Sequence, residues 1–290
     1  MNQIQRADRD LMRGIYRSVI LNIIKTHGPI SRADIAHRIG LSPATVTSIT
    51  GLLIKEDLVF EKDTGDSSGG RPPILLALNP RGGFVIGIKL MEMHAVAALT
   101  DLNAKVMEKT NFQMVSRELG AVVDDLTLLV NALIQESGIS PERLLGVGIG
   151  LAGVVDSTKG ILRKSPFLGW KNVPLRELLS DSLKVPIFLD NDVNTLTLGE
   201  KWLDDGVQAD NFVVITIGRG IGMGIVMNGQ IYRGTGGGAG EFGHLVVDPD
   251  GPLCNCGKHG CLESYLGDQA LIGRAKQEVD SAIEIGRAHV

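Results

Sequence analysis

Apolar residues recur at helical spacing in the first 55 residues of the chain. The stretch YRSVILNIIKTHGPI, from Tyr16 onward, predicts a helix that ends at the sequence His-Gly-Pro, since proline does not continue a helix. A second helix is predicted from Ser31, a good N-cap, to Gly40. A third follows, with Ser42 as its N-cap and Pro43 in its first position. Two short helices joined by a tight turn are typical of a helix-turn-helix.

The next segment, LVFEKDTGDSSGGRPPILLALN, predicts two strands around a glycine-rich tip. Helices and strands together predict a winged helix-turn-helix domain over residues 1–80. In such a domain the second helix of the pair enters the major groove of DNA, and an arginine in the wing reaches the minor groove. The candidate DNA-binding residues are Ser31, Arg32, Ser42, Ala44, Thr45, Thr47, Ser48 and Arg71.

Two alternatives to DNA binding stay open for these residues. The helices also fit a helical hairpin without a nucleic-acid role, and Arg71 also fits a flexible interdomain turn with an incidental arginine. The charge distribution favours DNA. Residues 1–55 carry eight basic and three acidic residues, a net charge of +5, whereas the whole chain carries −4.

Beyond residue 80 the pattern changes to apolar strands that alternate with helices and glycine loops. Strands are predicted in GGFVIGIKLMEMHAVAALTD, LLGVGIGLAGVVD, VPIFLD and NFVVITIGRGIGMGIVMNGQIY, and helices in VDDLTLLVNALIQESG and VNTLTLGEKWL. This alternation predicts an α/β domain over residues 81–290. The composition is that of a globular protein, with 43% hydrophobic residues and no apolar run of membrane-spanning length. We expect a cytoplasmic protein without membrane insertion, since the N-terminus is polar.

All three cysteines of the chain stand in the stretch CNCGKHGC, at positions 254, 256 and 261. Clustered cysteines in a cytoplasmic protein are more often metal ligands than disulfides. Three thiolates and one histidine would complete a closed tetrahedral zinc site, and both His244 and His259 are near enough in sequence to be the fourth ligand. A redox role, or a cluster without function, is the alternative.

The motifs GLAGVVD, LDNDVNTLTLGE, GIGMGIVMNGQIYRG, GGGAGEFGH and CNCGKHGCLESY occur in one order between residues 84 and about 272. In this set and order the chain resembles the ROK family of repressors, open reading frames and sugar kinases, and its winged helix resembles the repressor branch. The resemblance implies an actin-like, hexokinase-like α/β fold. It also implies a structural zinc ion bound by His244, Cys254, Cys256 and Cys261.

The resemblance further implies a sugar site. Its residues are Gly153, Asn191, Asp192, Glu241, His244 and Glu263. Asn191 offers a hydrogen-bond donor and an acceptor, and Asp192 a carboxylate that accepts a hydroxyl proton. In kinases of the family the matching aspartate is the catalytic base. Taken singly, any of these polar residues is also explained as a loop cap.

The phosphate-binding loops that the family's kinases need differ in this chain. At the first loop Lys89 replaces an aspartate, and Met91, Glu92 and Met93 replace Gly-Gly-Thr; the second loop reads Gly-Arg-Gly at 218–220. Bulky side chains and an added carboxylate oppose triphosphate binding. We therefore expect a sugar-responsive repressor without catalysis, which binds operator DNA as a homodimer or homotetramer. A sugar kinase is the alternative, and a DNA-binding scaffold without a sugar response is a third reading.

Two further expectations concern the ligand and the C-terminus. The effector is a sugar or a sugar phosphate, for which Arg219 or Arg233 is a candidate phosphate partner; either arginine also fits a structural role. Members of the repressor branch usually continue beyond LIGRAKQE, so we expect an incomplete second lobe. The last residues, 285–290, match a reading frame of a sequencing adapter and are expected to be a non-native tail.

Overall fold

The computed structural model describes residues 2–64, 72–203 and 209–288, and side chains within 12–62, 72–202 and 209–279. The chain divides into two compact units. The first is drawn from residues 1–87, 97–111 and 126–147, and the second from residues 88–96, 112–125 and 148–290. In the described part of the chain, no helix combines the length and the apolar character that crossing a membrane requires.

Three helices open the fold: α1 (Asn2–His27), α2 (Arg32–Ile39) and α3 (Pro43–Lys55). The Ser31 hydroxyl accepts a hydrogen bond from the backbone N–H of Asp34 and so caps α2. Ser42 caps α3 in the same way, by accepting from the N–H of Thr45. Gly40 ends α2 at a φ of 65°, a left-handed conformation that glycine adopts without strain. Both predicted caps and the predicted turn are confirmed.

The three helices bury one apolar cluster between them. Helix α1 begins well before the predicted start at Tyr16, and its Ile20 and Ile24 are fully buried. Further fully buried members come from α2, α3 and the two strands that flank the wing tip; they are Ile35, Val46, Leu53, Val59 and Leu76. This core holds α3 so that its opposite face is exposed.

The wing is a three-stranded antiparallel sheet with the order β1-β3-β2, in which β1 is Ile30–Ser31, β2 is Val59–Thr64 and β3 is Ile74–Leu78. Strand β2 pairs with β3 from Val59 opposite Leu78 to Thr64 opposite Ile74. The predicted two-stranded wing is thus confirmed, with β1 added from the α1–α2 connection. Arg71 at the wing tip lies outside the described residues.

The rest of the chain alternates strands and helices, which confirms the α/β prediction. Its strands are β4 (Phe84–Leu90), β5 (His94–Asp101), β6 (Val106–Gln113), β7 (Leu144–Leu151), β8 (Val154–Asp156), β9 (Ile161–Ser165), β10 (Trp170–Val173), β11 (Ile187–Asn191), β12 (Phe212–Ile217), β13 (Ile221–Met227) and β14 (Gln230–Ile231). Its helices are α4 (Leu119–Ser137), α5 (Leu175–Leu183), α6 (Asp192–Leu203), α7 (Glu263–Leu266) and α8 (Asp268–Ala288). Strands β6, β9 and β10 and helices α5, α7 and α8 add to the elements that the pattern predicts.

These strands form three sheets. The largest has the order β11-β7-β4-β5-β6, and the two others have the orders β10-β9-β8 and β12-β13-β14. Strand β4 buries every second residue, as period-two alternation predicts. Strand β12 exposes Val213, Ile215 and Ile217, each at least half accessible. Helix α6 follows β11 without a loop, so the polar residues at the end of β11 stand at the start of a helix.

Candidate functional site

Helix α3 presents short polar side chains on the face opposite its buried residues. Val46, Ile49 and Thr50 are buried. Ala44, Thr47 and Ser48 are exposed, as is the capping Ser42, and Thr45 is half-buried. Small hydroxyl side chains on an exposed helix let the backbone approach DNA closely and donate hydrogen bonds to phosphates.

Ser31 and Arg32, two of the predicted DNA-binding residues, precede α3 and form contacts within the protein. Ser31 is only 4% exposed, and its hydroxyl bonds the Asp34 carboxylate at 2.6 Å. The Arg32 guanidinium donates to the Glu61 carboxylate at 2.8 Å and to the Thr50 hydroxyl at 3.2 Å. This engagement favours a structural role for both residues: Ser31 caps α2, and Arg32 connects α2 to α3 and β2.

At the junction of β11 and α6, Asn191 makes hydrogen bonds with both ends of its amide. Its Oδ1 accepts from the backbone N–H groups of Val193 and Asn194, at 2.8 and 3.2 Å, and so caps α6. Its Nδ2 donates to the carbonyl of Gly153 at 3.1 Å. Asn191 therefore holds the loop after β7 against the start of α6. One N–H of the amide is left over for a ligand.

Gly153 has a backbone conformation that requires glycine. Its φ is 136°, and a Cβ at this position would clash with the carbonyl oxygen of Lys164. Any larger residue would have to displace the β9 backbone. Gly153 thus brings its carbonyl to Asn191 at a point where no side chain fits.

Asp190, one residue before Asn191, holds a buried ion pair that the sequence did not indicate. The guanidinium of Arg233 donates two hydrogen bonds to Asp190 Oδ2, at 2.9 and 2.6 Å. The amide of Asn194 donates to Oδ1 at 3.0 Å. Since the Asp190 side chain is only 9% exposed, Arg233 neutralises a buried charge, which favours the structural explanation of this arginine over a phosphate contact.

Asp192, the first residue of α6, lies beside the lysine of the altered first loop. Its Oδ2 is 3.6 Å from the ammonium of Lys89. The Asp192 side chain is 22% exposed and that of Lys89 58%, so both ends of the pair are open to a ligand. The sequence points to each of these residues separately, but only the fold brings them together.

A second set of charges joins the two altered loops. The Glu92 carboxylate receives hydrogen bonds from Arg219 at 3.0 Å and from Arg117 at 3.0 Å. The Arg219 guanidinium also lies 4.8 Å from the centre of the Phe167 ring, within the range of a cation–π contact. The loop at residues 91–93 and the loop at 218–220 are thus tied together by protein side chains.

The two predicted glutamates both belong to segments that contact β13. Glu263, at the start of α7, accepts a hydrogen bond from the backbone N–H of Ile221 at 2.9 Å, directly after the second loop. Glu241 precedes a short 3-10 helix, Phe242–His244, that packs against β13. Helix α6 packs against the same strand. Strand β13 therefore collects α6, Glu241 and Glu263 around itself.

The four predicted metal ligands converge. One ligand atom from each of His244, Cys254, Cys256 and Cys261 lies within 4.8 Å of the others. The Sγ of Cys254 is 3.5 Å from His244 Nδ1, and the Sγ atoms of Cys256 and Cys261 are 3.6 Å apart. Zinc ligands in a tetrahedron lie about 3.5–3.8 Å from one another, so the geometry fits a metal ion. The thiols are free and not joined in a disulfide.

The surroundings of the three thiols shift their pKa values in different directions. Burial, with further hydrogen bonds to the two other thiols, raises the pKa of Cys261 to about 12, and burial raises that of Cys254. The backbone N–H of Lys258 lowers the pKa of Cys256. A metal cation provides the positive charge that converts buried thiols to thiolates. His259 is not among the converging ligands, and its Nδ1 is 3.0 Å from the carbonyl of Gly251.

His244 lies next to Glu241, one of the residues predicted to bind the sugar. Its Nδ1 faces Cys254, and its Nε2 lies 3.8 Å from the carboxylate of Glu241. A carboxylate on the far nitrogen of a metal-binding histidine orients the ring and selects its tautomer. His244 therefore lies between the cysteine cluster and the Glu241 carboxylate.

Comparison with known proteins gives two family matches. Residues 85–286 match the ROK family, and residues 16–59 match a winged helix-turn-helix DNA-binding family. The two matches follow one another in the order of the winged helix and the α/β part of the fold.

Three relatives align with this chain over both its winged helix and its α/β part. The xylose repressor of Bacillus spizizenii is 34% identical over 92% of this chain and 69% of its own length. The transcriptional dual regulator NagC of Escherichia coli is 32% identical over 93% of this chain and 66% of its own. A crystal structure of a ROK family transcriptional regulator, a homolog of the E. coli MLC protein, superposes with a TM-score of 0.83 at 30% identity, over 93% of this chain and 68% of that one.

Proposed function

Because this chain belongs to the ROK family and is a sugar-responsive transcriptional repressor, we propose that it binds operator DNA through α3 and the wing and senses a sugar in a kinase-derived pocket, without phosphorylating it. The predicted family membership and fold class are confirmed by these matches. The residues that contact DNA and sugar, and the absence of catalysis, form the proposal.

Helix α3 supports the DNA-binding part. Its exposed face carries Ala44, Thr47 and Ser48 with Ser42 at its N-terminus, and its other face is anchored in the core. A rigid helix with short side chains fits the major groove. We keep Ser42, Ala44, Thr45, Thr47 and Ser48 as the proposed DNA contacts.

The sugar site is proposed around the start of α6 and the edge of β13. Asp192 offers a carboxylate, Asn191 one amide N–H, and Glu241 a half-exposed carboxylate beside His244. Glu263 contributes its second carboxylate oxygen, since Oε2 is held by Ile221. Carboxylate oxygens and an amide N–H are acceptors and donors that suit the hydroxyl groups of a sugar.

The observation that carries the non-catalytic part is the pairing of Asp192 with Lys89. In a kinase of the family the matching aspartate serves as a base for the sugar hydroxyl, and the matching loop residue is an aspartate. Here an ammonium stands 3.6 Å from Asp192 Oδ2, so the oxygen that would accept the proton of a sugar hydroxyl is already engaged by Lys89. The contacts of Glu92 with Arg117 and Arg219 also oppose triphosphate, because a carboxylate lies between the two loops.

We further propose that His244, Cys254, Cys256 and Cys261 hold one structural zinc ion. A closed tetrahedral site crosslinks the loop at 254–261 to the segment that carries Glu241, and leaves no coordination position for a substrate. The ion would thus stabilise the sugar site without binding the sugar or the DNA.

The response requires the sugar to bind the DNA-bound and DNA-free states with different affinity. A hundredfold preference shifts the equilibrium by about 2.7 kcal/mol, enough to release or to capture operator DNA. We propose that the protein assembles in the cytoplasm as a homodimer or homotetramer. This assembly would present two winged helices to two half-sites of the operator.

The test is fluorescence anisotropy on the DNA upstream of the chain's own gene, at fixed salt, with and without a panel of pentoses, hexoses, amino sugars and their phosphates. We expect specific binding that one sugar alters. A protein that binds DNA but ignores every sugar would be a scaffold. Failure to bind DNA, together with sugar-dependent ATP turnover that the substitution Asp192→Asn abolishes, would establish the kinase instead.

A further inference from the structure

A groove of about 530 Å³ lies between α1 and α3. One wall is formed by Met12, Arg13 and Tyr16 of α1, and the other by residues of α3, namely Ala44, Thr45, Ser48 and Ile49. Three residues of the α3 wall are among the proposed DNA contacts. A molecule seated in this groove therefore touches α1 and the N-terminal half of α3 together.

The chemistry of the groove suits a phosphodiester backbone. Among the residues whose side chains the structure describes, Arg13 is the one charged residue that lines the groove, and no carboxylate lines it. Tyr16, Thr45 and Ser48 add three hydroxyl donors, while Met12, Ala44 and Ile49 offer apolar surface to a deoxyribose ring. A single cation with hydroxyl donors is what a backbone phosphate needs.

Arg13 differs from the other arginines near α3. Arg17 pairs with Glu56, and Arg32 with Glu61. Arg13 is exposed, and among the residues whose side chains are described, no ion pair neutralises it. In the sequence, arginines also stand four and seven positions before Arg13, the spacing of one helical face. Its charge is therefore available to a polyanion beside the bases that α3 reads.

We propose that this groove is part of the DNA interface and that Arg13 contacts a backbone phosphate next to the bases read by α3. The proposal rests on the proposed function, because it takes operator DNA as the partner. With this contact the DNA interface includes α1 in addition to the helix-turn-helix pair. A phosphate contact from α1 positions the protein on the duplex and does not depend on the base sequence.

The experiment measures operator affinity of the full chain by fluorescence anisotropy at several salt concentrations, for wild type, Arg13→Gln, Arg13→Lys and Lys55→Gln. Lys55 is the matched control, because it is an exposed cation at the opposite end of α3, about 15 Å from Thr45 along the axis. Equal thermal unfolding of the variants shows that the fold is kept.

We expect Arg13→Gln to weaken binding about tenfold, to lower the slope of log Kd against log salt by about 0.9, and to weaken operator and scrambled DNA equally. Arg13→Lys should restore the salt slope, and Lys55→Gln should change neither quantity. If Arg13→Gln matches Lys55→Gln while wild type binds the operator, the inference is wrong and the proposed function stands. A wild-type chain that binds no DNA overturns both. An Arg13→Gln variant that loses oligomeric mass, with its salt slope unchanged, would show that the groove holds a second copy of the chain and would refute the phosphate contact.

Discussion

The ammonium of Lys89 lies 3.6 Å from the carboxylate of Asp192, so this proposed sugar-binding residue already has a cationic partner inside the protein. A sugar hydroxyl that binds Asp192 has to share this carboxylate with Lys89 or displace it. The ion pair engages Asp192 before a ligand binds, which favours a role for this carboxylate in recognition.

Replacing Asp192 by asparagine tests its role in sugar binding. We expect the Kd of the effector to rise at least about tenfold, since a hydrogen bond to a charged group contributes roughly 1.5–3 kcal/mol. Operator affinity without sugar should stay unchanged. Isothermal titration with the effector and anisotropy with the operator measure the two quantities. The matched control is Asp181→Asn, which removes an exposed carboxylate of α5 and should leave both unchanged. Wild-type sugar affinity in Asp192→Asn would remove this residue from the site.

The cysteine cluster predicts one zinc ion per chain. Cys256→Ser and His244→Ala should lose the metal, whereas His259→Ala should keep it, because His259 does not converge with the thiols. We expect Tm to fall by at least about 5 °C in the first two variants, which corresponds to about 2 kcal/mol for a domain of this size. Metal content by mass spectrometry and thermal unfolding provide the readouts. Metal loss in His259→Ala with retention in His244→Ala would reverse the ligand assignment.

Gly153 predicts a steric effect. Gly153→Ala should lower the free energy of unfolding by about 2–3 kcal/mol, because the residue has a φ of 136° and its new Cβ would clash with the Lys164 carbonyl. It should also weaken sugar binding through the hydrogen bond of Asn191. Gly148→Ala, in β7, meets open space and should cost under about 1 kcal/mol. Denaturant unfolding compares the two, and equal stability would contradict the strained geometry.

Substitutions of Arg233 and Arg219 test which of these two arginines has a structural role. Arg233→Met should lower the free energy of unfolding by about 2–4 kcal/mol, because it leaves the buried Asp190 carboxylate without its counter-charge. Arg219→Met removes a guanidinium that is 60% exposed and should change stability by under about 1 kcal/mol. Urea unfolding measures both. A stable Arg233→Met variant that fails to bind a sugar phosphate would revive the phosphate-contact explanation.

Local signals made much of the fold predictable. The caps at Ser31 and Ser42 lie within three residues of the N–H groups that they bind, so the helix-turn-helix follows from short stretches of sequence. The clustering of the three thiols also follows, since they lie within eight residues, whereas the choice of His244 over His259 came from the family resemblance.

Contacts between distant parts of the chain were not predictable from the pattern. Asp190 and Arg233 are 43 positions apart, and Glu92 and Arg219 are 127 apart; no periodicity relates them. The early start of α1 was also missed, because its first residues are polar and lack an apolar stripe. The arginines at positions 6, 9 and 13 have helical spacing, a signal that could have extended the predicted helix toward the N-terminus.

The edge strand β12 has a practical consequence for solution studies. Its Val213, Ile215 and Ile217 side chains are exposed, and in the described sheet β12 is paired on one side by β13 alone. Such an edge can pair with a strand of another molecule, and then the measured mass doubles without any regulatory dimer. The stoichiometry of this chain on DNA is therefore better read from the operator complex at nanomolar protein than from chromatography at high concentration.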